Sequence, residues 1–155
     1  MSADGAPRPH GSLLAGEAGE LVGVSGTTIG QWARRAYIRS SQSAGPPRVY
    51  SVEDVLEAAL VGELLARGVR HADIRRALDG LTDHGRWPLS EVDLATTADG
   101  ERARIVLRNG DGAYVSAARG WQRMTAPPPL RDVRLRLRRT PARFGRTRSG
   151  GGTTG

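Results

Sequence analysis

Between Val52 and Leu81 the sequence writes the same helical pattern twice. Val52, Val55, Leu56, Ala59, Leu60 and Leu64 recur at helical spacing, which predicts an amphipathic helix with one apolar face. Ser51-Val52-Glu53-Asp54 precedes that run. It reads as a capping arrangement with Asp where Glu is preferred. Glu63 and Arg67 make an i, i+4 pair of the favoured orientation, and Gly68 supplies a C-cap. A second helix is predicted over about His71 to Leu81, with Ile74, Ala77, Leu78 and Leu81 inward.

The preceding segment adds two shorter helices. Leu13 to Leu21 places Leu14, Ala18 and Leu21 four and three apart. Val22-Gly23-Val24 reads as a tight connection, where Gly23 can take a positive φ. Ser25 is a good N-cap for a helix running to about Ala36. Ile29, Trp32 and Ala33 face inward on it; Thr27, Thr28, Gln31 and Arg34 face outward. Trp32 is read as a core aromatic bracing this helix. Gly30 in its middle costs about 1 kcal/mol against Ala, which suits close approach to something. Beyond it, the β-prone pieces Tyr37-Ile38-Arg39 and Arg48-Val49-Tyr50 flank the turn-rich SSQSAGPP. A hairpin with a loose tip is expected.

Helix, tight turn, helix, hairpin and two helices is the order of a winged helix-turn-helix. Residues Leu13 to Leu81 resemble the DNA-binding domain of the MerR family. The resemblance rests on GVSGTTIGQWARRAYI for the turn and recognition helix, RVYSVEDV for the second wing strand and next helix start, and LLARGVRHADIRRAL for the last two helices. It covers less than half the chain. It implies a bacterial, sequence-specific transcriptional regulator that binds double-stranded DNA. Ser25 would start the recognition helix. Thr27, Thr28, Gln31 and Arg34 would point at the major groove or its phosphates. Arg48 and Tyr50 would sit on the wing and touch backbone or minor-groove edge. Arg35 and Arg39 suit phosphate contacts, which position a protein without reading sequence. Arg can bond guanine bidentately, while Gln or Thr can read an adenine edge or a thymine methyl.

The chain departs from the family at several points. Gly30 stands where a basic residue is usual, Ala33 where an acidic one is, and Pro46-Pro47 where a tighter wing turn is. Typical members continue into a long pairing helix. Here Thr-Asp-His-Gly-Arg-Trp-Pro follows Leu81, and Gly85 and Pro88 end any helix. A homodimer would therefore need another surface, or the protein would bind in tandem.

Charge sharpens this reading. The net charge is +7, and all 23 basic residues are Arg, which is read first as codon bias. Eight of them, with one Asp, lie in 131–155; residues 1–130 balance 15 Arg against 15 acids. The whole surplus is in the tail. The body is nonetheless polarised: Arg34, Arg35, Arg39 and Arg48 fall between Gly26 and Val52 without one carboxylate, the local charge that phosphate binding requires.

Other chemistries find little purchase. Without cysteine there is no disulfide, thiolate metal site or cysteine nucleophile, which fits the cytoplasm. His10, His71 and His84 lack ligand spacing and read as surface or capping residues. No phosphate-cradling glycine loop with Lys and no Ser-His-acid grouping is present, so no enzyme and no cofactor is expected. The N-terminus lacks a secretory apolar core, and no apolar run nears the roughly 18 residues of a membrane span.

The C-terminal half reads differently. Val92–Thr96 alternates, a DG turn at 99–100 leads to Ala103–Leu107, and Asn109-Gly110-Asp111-Gly112 announces a hairpin into Ala113–Ser116. Three short strands bury little alone, so they should rest on the helices. Trp87, Tyr114 and Trp121 either form a ligand or partner surface or seal a thin core; the second is favoured. In the tail Val133, Leu135 and Leu137 alternate with Arg, as an induced edge strand or a basic arm would. Only 5% of residues are aromatic and 21 are Gly, so the core should be modest.

The expected fold is mainly α with small β: a winged helix-turn-helix followed by a small antiparallel β unit. The division is 1–11 disordered, 12–82 helix-turn-helix, 86–126 β-rich appendage and 127–155 basic disordered tail. The preferred function is the DNA-binding regulator. One alternative is a DNA-binding antitoxin whose residues 87–155 bind a protein partner, the toxin. The other is nonspecific nucleic-acid binding through the tail.

Overall fold

The computed structural model describes residues 13–40, 48–82, 85, 87–98 and 102–134. The stretch 1–11, the hairpin tip at 41–47, His10, His84, the 99–100 turn and the tail from 135 lie outside the described residues.

The described chain runs β1 (Leu13–Leu14), α1 (Ala15–Val22), α2 (Gly26–Arg34), β2 (Val49–Tyr50), α3 (Val52–Ala66) and α4 (His71–Gly80). Then come β3 (Asp93–Thr97), β4 (Ile105–Asn109), β5 (Gly112–Ala117), β6 (Gly120–Arg123) and β7 (Leu130–Asp132). Both predicted glycine stops hold, with Gly23 at φ 93 and Gly68 at φ 91.

Two glycines, Gly19 and Gly26, let α1 and α2 meet backbone on backbone. A Cβ on Gly19 would lie 2.5 Å from the Val24 carbonyl oxygen, and one on Gly26 would lie 3.0 Å from the Cα and N of Gly16. Neither position admits a side chain without moving main chain. The angle of the helix-turn-helix is therefore set by close approach as well as by burial of Ile29 and Trp32.

The wing is paired otherwise than the sequence predicts. β2 pairs antiparallel with β1, Leu13 opposite Tyr50 and Leu14 opposite Val49. Tyr37-Ile38-Arg39 is not a strand. The reason lies in the end of α2. Ala36 takes φ 60, the Tyr37 N–H donates to the Trp32 carbonyl at 2.9 Å, and the Ala36 N–H donates to Ala33 at 3.0 Å. This helix stop turns both Tyr37 and Ile38 into the core, where a strand would have alternated them.

Ser51 caps α3 as its sequence predicts. Its Oγ accepts the Asp54 N–H at 3.1 Å, and Asp54 Oδ2 accepts the Ser51 N–H at 2.8 Å. Asp54 also receives the connector to the sheet, through Trp87 Nε1 on Oδ1 at 3.1 Å. One turn on, the buried Glu57 accepts the N–H groups of Leu89 at 3.1 Å and Ser90 at 2.6 Å. Burial pushes the Glu57 carboxyl above its ordinary range, and these hydrogen bonds pull part of the way back.

The sheet is larger than expected, with five antiparallel strands in the order β6-β5-β4-β3-β7. The predicted hairpin is present, Asn109 opposite Gly112. β6 and β7 are additional, and β7 falls inside the range read as tail. In β3, flanked by β4 and β7, Leu94, Ala95 and Thr96 are all buried and do not alternate between core and solvent. Arg67 fastens the sheet to α3: its guanidinium donates to Thr96 Oγ1 at 3.2 Å and to the carbonyls of Arg131 at 3.0 Å and Asp132 at 2.5 Å. Trp121 of β6 lies against Gly80, where a Cβ would stand 2.8 Å from Nε1. One apolar cluster runs from Ile29 and Trp32 through Leu64 and Ile74 to Leu94 and Ile105. Among the described residues no helix is long and apolar enough to cross a membrane.

Candidate nucleic-acid interface

α2 is held hard on one side and left open on the other. Ile29 and Trp32 are buried, while Thr27, Gln31 and Arg34 are exposed. Spacings of four and three put these three on one stripe. Ser25 begins the helix as predicted, its Oγ accepting the Thr28 N–H at 3.0 Å. The Ser25 and Thr28 hydroxyls also lie 3.0 Å apart. Both hydroxyls thus serve the helix start, and Thr27 is the hydroxyl that stands clear.

The four arginines divide. Among the described residues Arg34, Arg39 and Arg48 are exposed with no ion-pair partner. Arg35 reaches back to α4, Nη1 lying 3.2 Å from Nδ1 of His71. A guanidinium only donates, so Nδ1 must accept. Tyr37 stacks on the same imidazole at 5.8 Å between centroids and donates its hydroxyl to the His71 carbonyl at 3.2 Å. Arg75 sits 5.4 Å from the Tyr37 ring and donates to the Ala36 carbonyl at 3.1 Å. The end of α2 is therefore anchored to α4. His71, read in the sequence as a surface or capping residue, is part of that anchor. Nothing local in the sequence could reveal a contact across 36 positions.

Tyr50 is the correction. It is only 1% exposed and belongs to the core, because β1 pairs over it and α3 begins beside it. It offers no wing surface. Burial raises its hydroxyl pKa, while Arg48 and Arg34 act in the opposite direction. Both cations thus lie within electrostatic reach of one buried phenol.

The aromatic set of the C-terminal half is likewise engaged. Trp87 is hydrogen-bonded to Asp54, Trp121 lies on Gly80, and the Tyr114 hydroxyl donates to Asp111 Oδ1 at 3.1 Å. Among the described residues no cluster of His, Asp or Glu could hold a metal ion.

Residues 15–81 match the family model for MerR HTH family regulatory proteins. The chain is also similar to HTH-type transcriptional regulators, themselves described as uncharacterised, from Mycobacterium bovis and from two strains of Mycobacterium tuberculosis. Each is 30% identical over 115 residues, covering 67% of this chain and 51% of the relative. The similarity thus extends beyond the helix-turn-helix, and the chain spans about half the length of the curated relatives it matches. No solved structure matches.

Proposed function

We propose, from the premise that residues 15–81 form a domain of the MerR HTH family, that this protein is a sequence-specific DNA-binding transcriptional regulator. Thr27, Gln31 and Arg34 read base edges in the major groove. Ser25 and Thr28 fix the start of the reading helix. Arg39 and Arg48 hold phosphates, and Arg35 positions the helix end through His71. The observation that carries this reading is the exposed Thr27–Gln31–Arg34 stripe on a helix whose other side is locked in the core. It lies in a stretch, Gly26 to Val52, with four Arg and no carboxylate. One such unit spans only a few base pairs, so operator recognition takes two copies. The protein acts in the cytoplasm, where a bacterial promoter is.

The test is binding to DNA from the protein's own promoter region against scrambled DNA at several salt concentrations. The full chain is compared with Arg34→Ala and with a chain ending at Arg134, which keeps β7. Promoter preference that survives truncation and falls in Arg34→Ala supports the reading. Loss of all binding in the truncated chain, with no preference in the full chain, would transfer the activity to the tail and sink it.

A further inference from the structure

Gly30, in the middle of α2, is required neither by close main chain nor by a positive φ. Gly19 and Gly26 are forced by main chain, and Gly23 by its positive φ. At Gly30 a Cβ would meet a single atom within 4 Å: Nη1 of Arg34, at 3.4 Å. The Arg34 side chain therefore folds back along the helix and lays its guanidinium over Gly30. Among the described residues no hydrogen bond or ion pair holds that guanidinium. The guanidinium lies against bare backbone at Gly30. A side chain at 30 would occupy the same lane, since i and i+4 are neighbours on a helix surface.

We infer that Gly30 is a positioning residue for sequence recognition: its missing side chain seats Arg34 over the middle of α2 and so sets which base pair Arg34 addresses. This rests on the function proposed above. The helix accepts a poor helix former here in exchange for a guanidinium aimed along its own axis. Any longer residue at 30 swings Arg34 toward the C-terminal end of α2, about one helical turn away.

The test is a double-mutant cycle of Gly30→Gln with Arg34→Ala, in the full chain. Promoter affinity and a base-by-base substitution profile of the operator are read. Melting temperature and the side-chain Nε–Hε resonance of Arg34 are read without DNA. Gly30→Gln should raise the melting temperature and cut promoter preference about tenfold, the scale of one base contact. It should alter the same base position that Arg34→Ala alters, and do nothing further in the Arg34→Ala background. The Arg34 resonance should lose its restraint. Unchanged preference and profile in Gly30→Gln, or losses that simply add, would overturn the inference. If the wild type shows no promoter preference, the proposed function fails, while the Arg34 resonance still decides whether the seat exists.

Discussion

Arg35 Nη1 and His71 Nδ1 meet at 3.2 Å, which ties the last turn of the candidate reading helix to the first turn of α4. Removing the ring should loosen that end. His71→Ala loses the acceptor and the stack on Tyr37; His71→Phe keeps only the stack. Urea unfolding should show His71→Ala destabilised by about 1 kcal/mol, with His71→Phe between it and the wild type. Equal midpoints for all three would mean the contact contributes nothing.

Two glycines three residues apart in α1 should respond oppositely to alanine. Gly19→Ala drives a methyl into the Val24 carbonyl and should cost more than about 2 kcal/mol, as overpacking against rigid main chain does. Gly16→Ala meets nothing within 4 Å and should gain up to about 1 kcal/mol from helix propensity. Thermal melts of the pair decide it, and a stable Gly19→Ala would contradict the close crossing.

Arg67 should behave as a fastener. Arg67→Met keeps the aliphatic stem and removes the donors to Thr96, Arg131 and Asp132. A loss of about 2–3 kcal/mol is expected, on the scale of charge-assisted hydrogen bonds. Hydrogen exchange should rise first at β7. Protection at 130–133 equal to wild type would show that the strand holds without it.

Glu57 gives stability a pH signature. Its folded carboxyl binds a proton more tightly than the unfolded chain does, because burial penalises the charge. Its contribution is therefore fully present below the ordinary glutamate range and lost as pH rises through the raised value. Wild type should gain on Glu57→Gln as pH falls from neutral toward the ordinary glutamate range. A stability difference that is flat, or slopes the other way, in paired urea titrations would refute the assignment.

Most of the helical half was legible because its signals are local. Ser25, Ser51 with Asp54, and Gly68 announce helix ends within four residues, and Ile29 with Trp32 announces the buried face. What escaped is what depends on distant chain. Val49-Tyr50 looks like half of a hairpin, yet its partner Leu13–Leu14 lies upstream of α1. The family resemblance alone implies a wing position for Tyr50, and the strand that covers it comes from Leu13–Leu14, whose local pattern reads as the start of a helix. β7 carries two charges in three residues behind three prolines, and only its pairing with β3 makes it a strand. Gly120–Arg123 lacks an Asn-Gly turn signal before it. In the candidate site, the outward set Thr27, Gln31 and Arg34 follows from period alone. The Arg35–His71 anchor and the Gly30 seat require coordinates.

Asp54 belongs to two structures at once. One of its oxygens starts the helix that follows the wing, and the other holds Trp87 at the entrance to the sheet. The entrance to the sheet and the helix start beyond the wing strand thus hang from a single carboxylate, as two doors hang from one post.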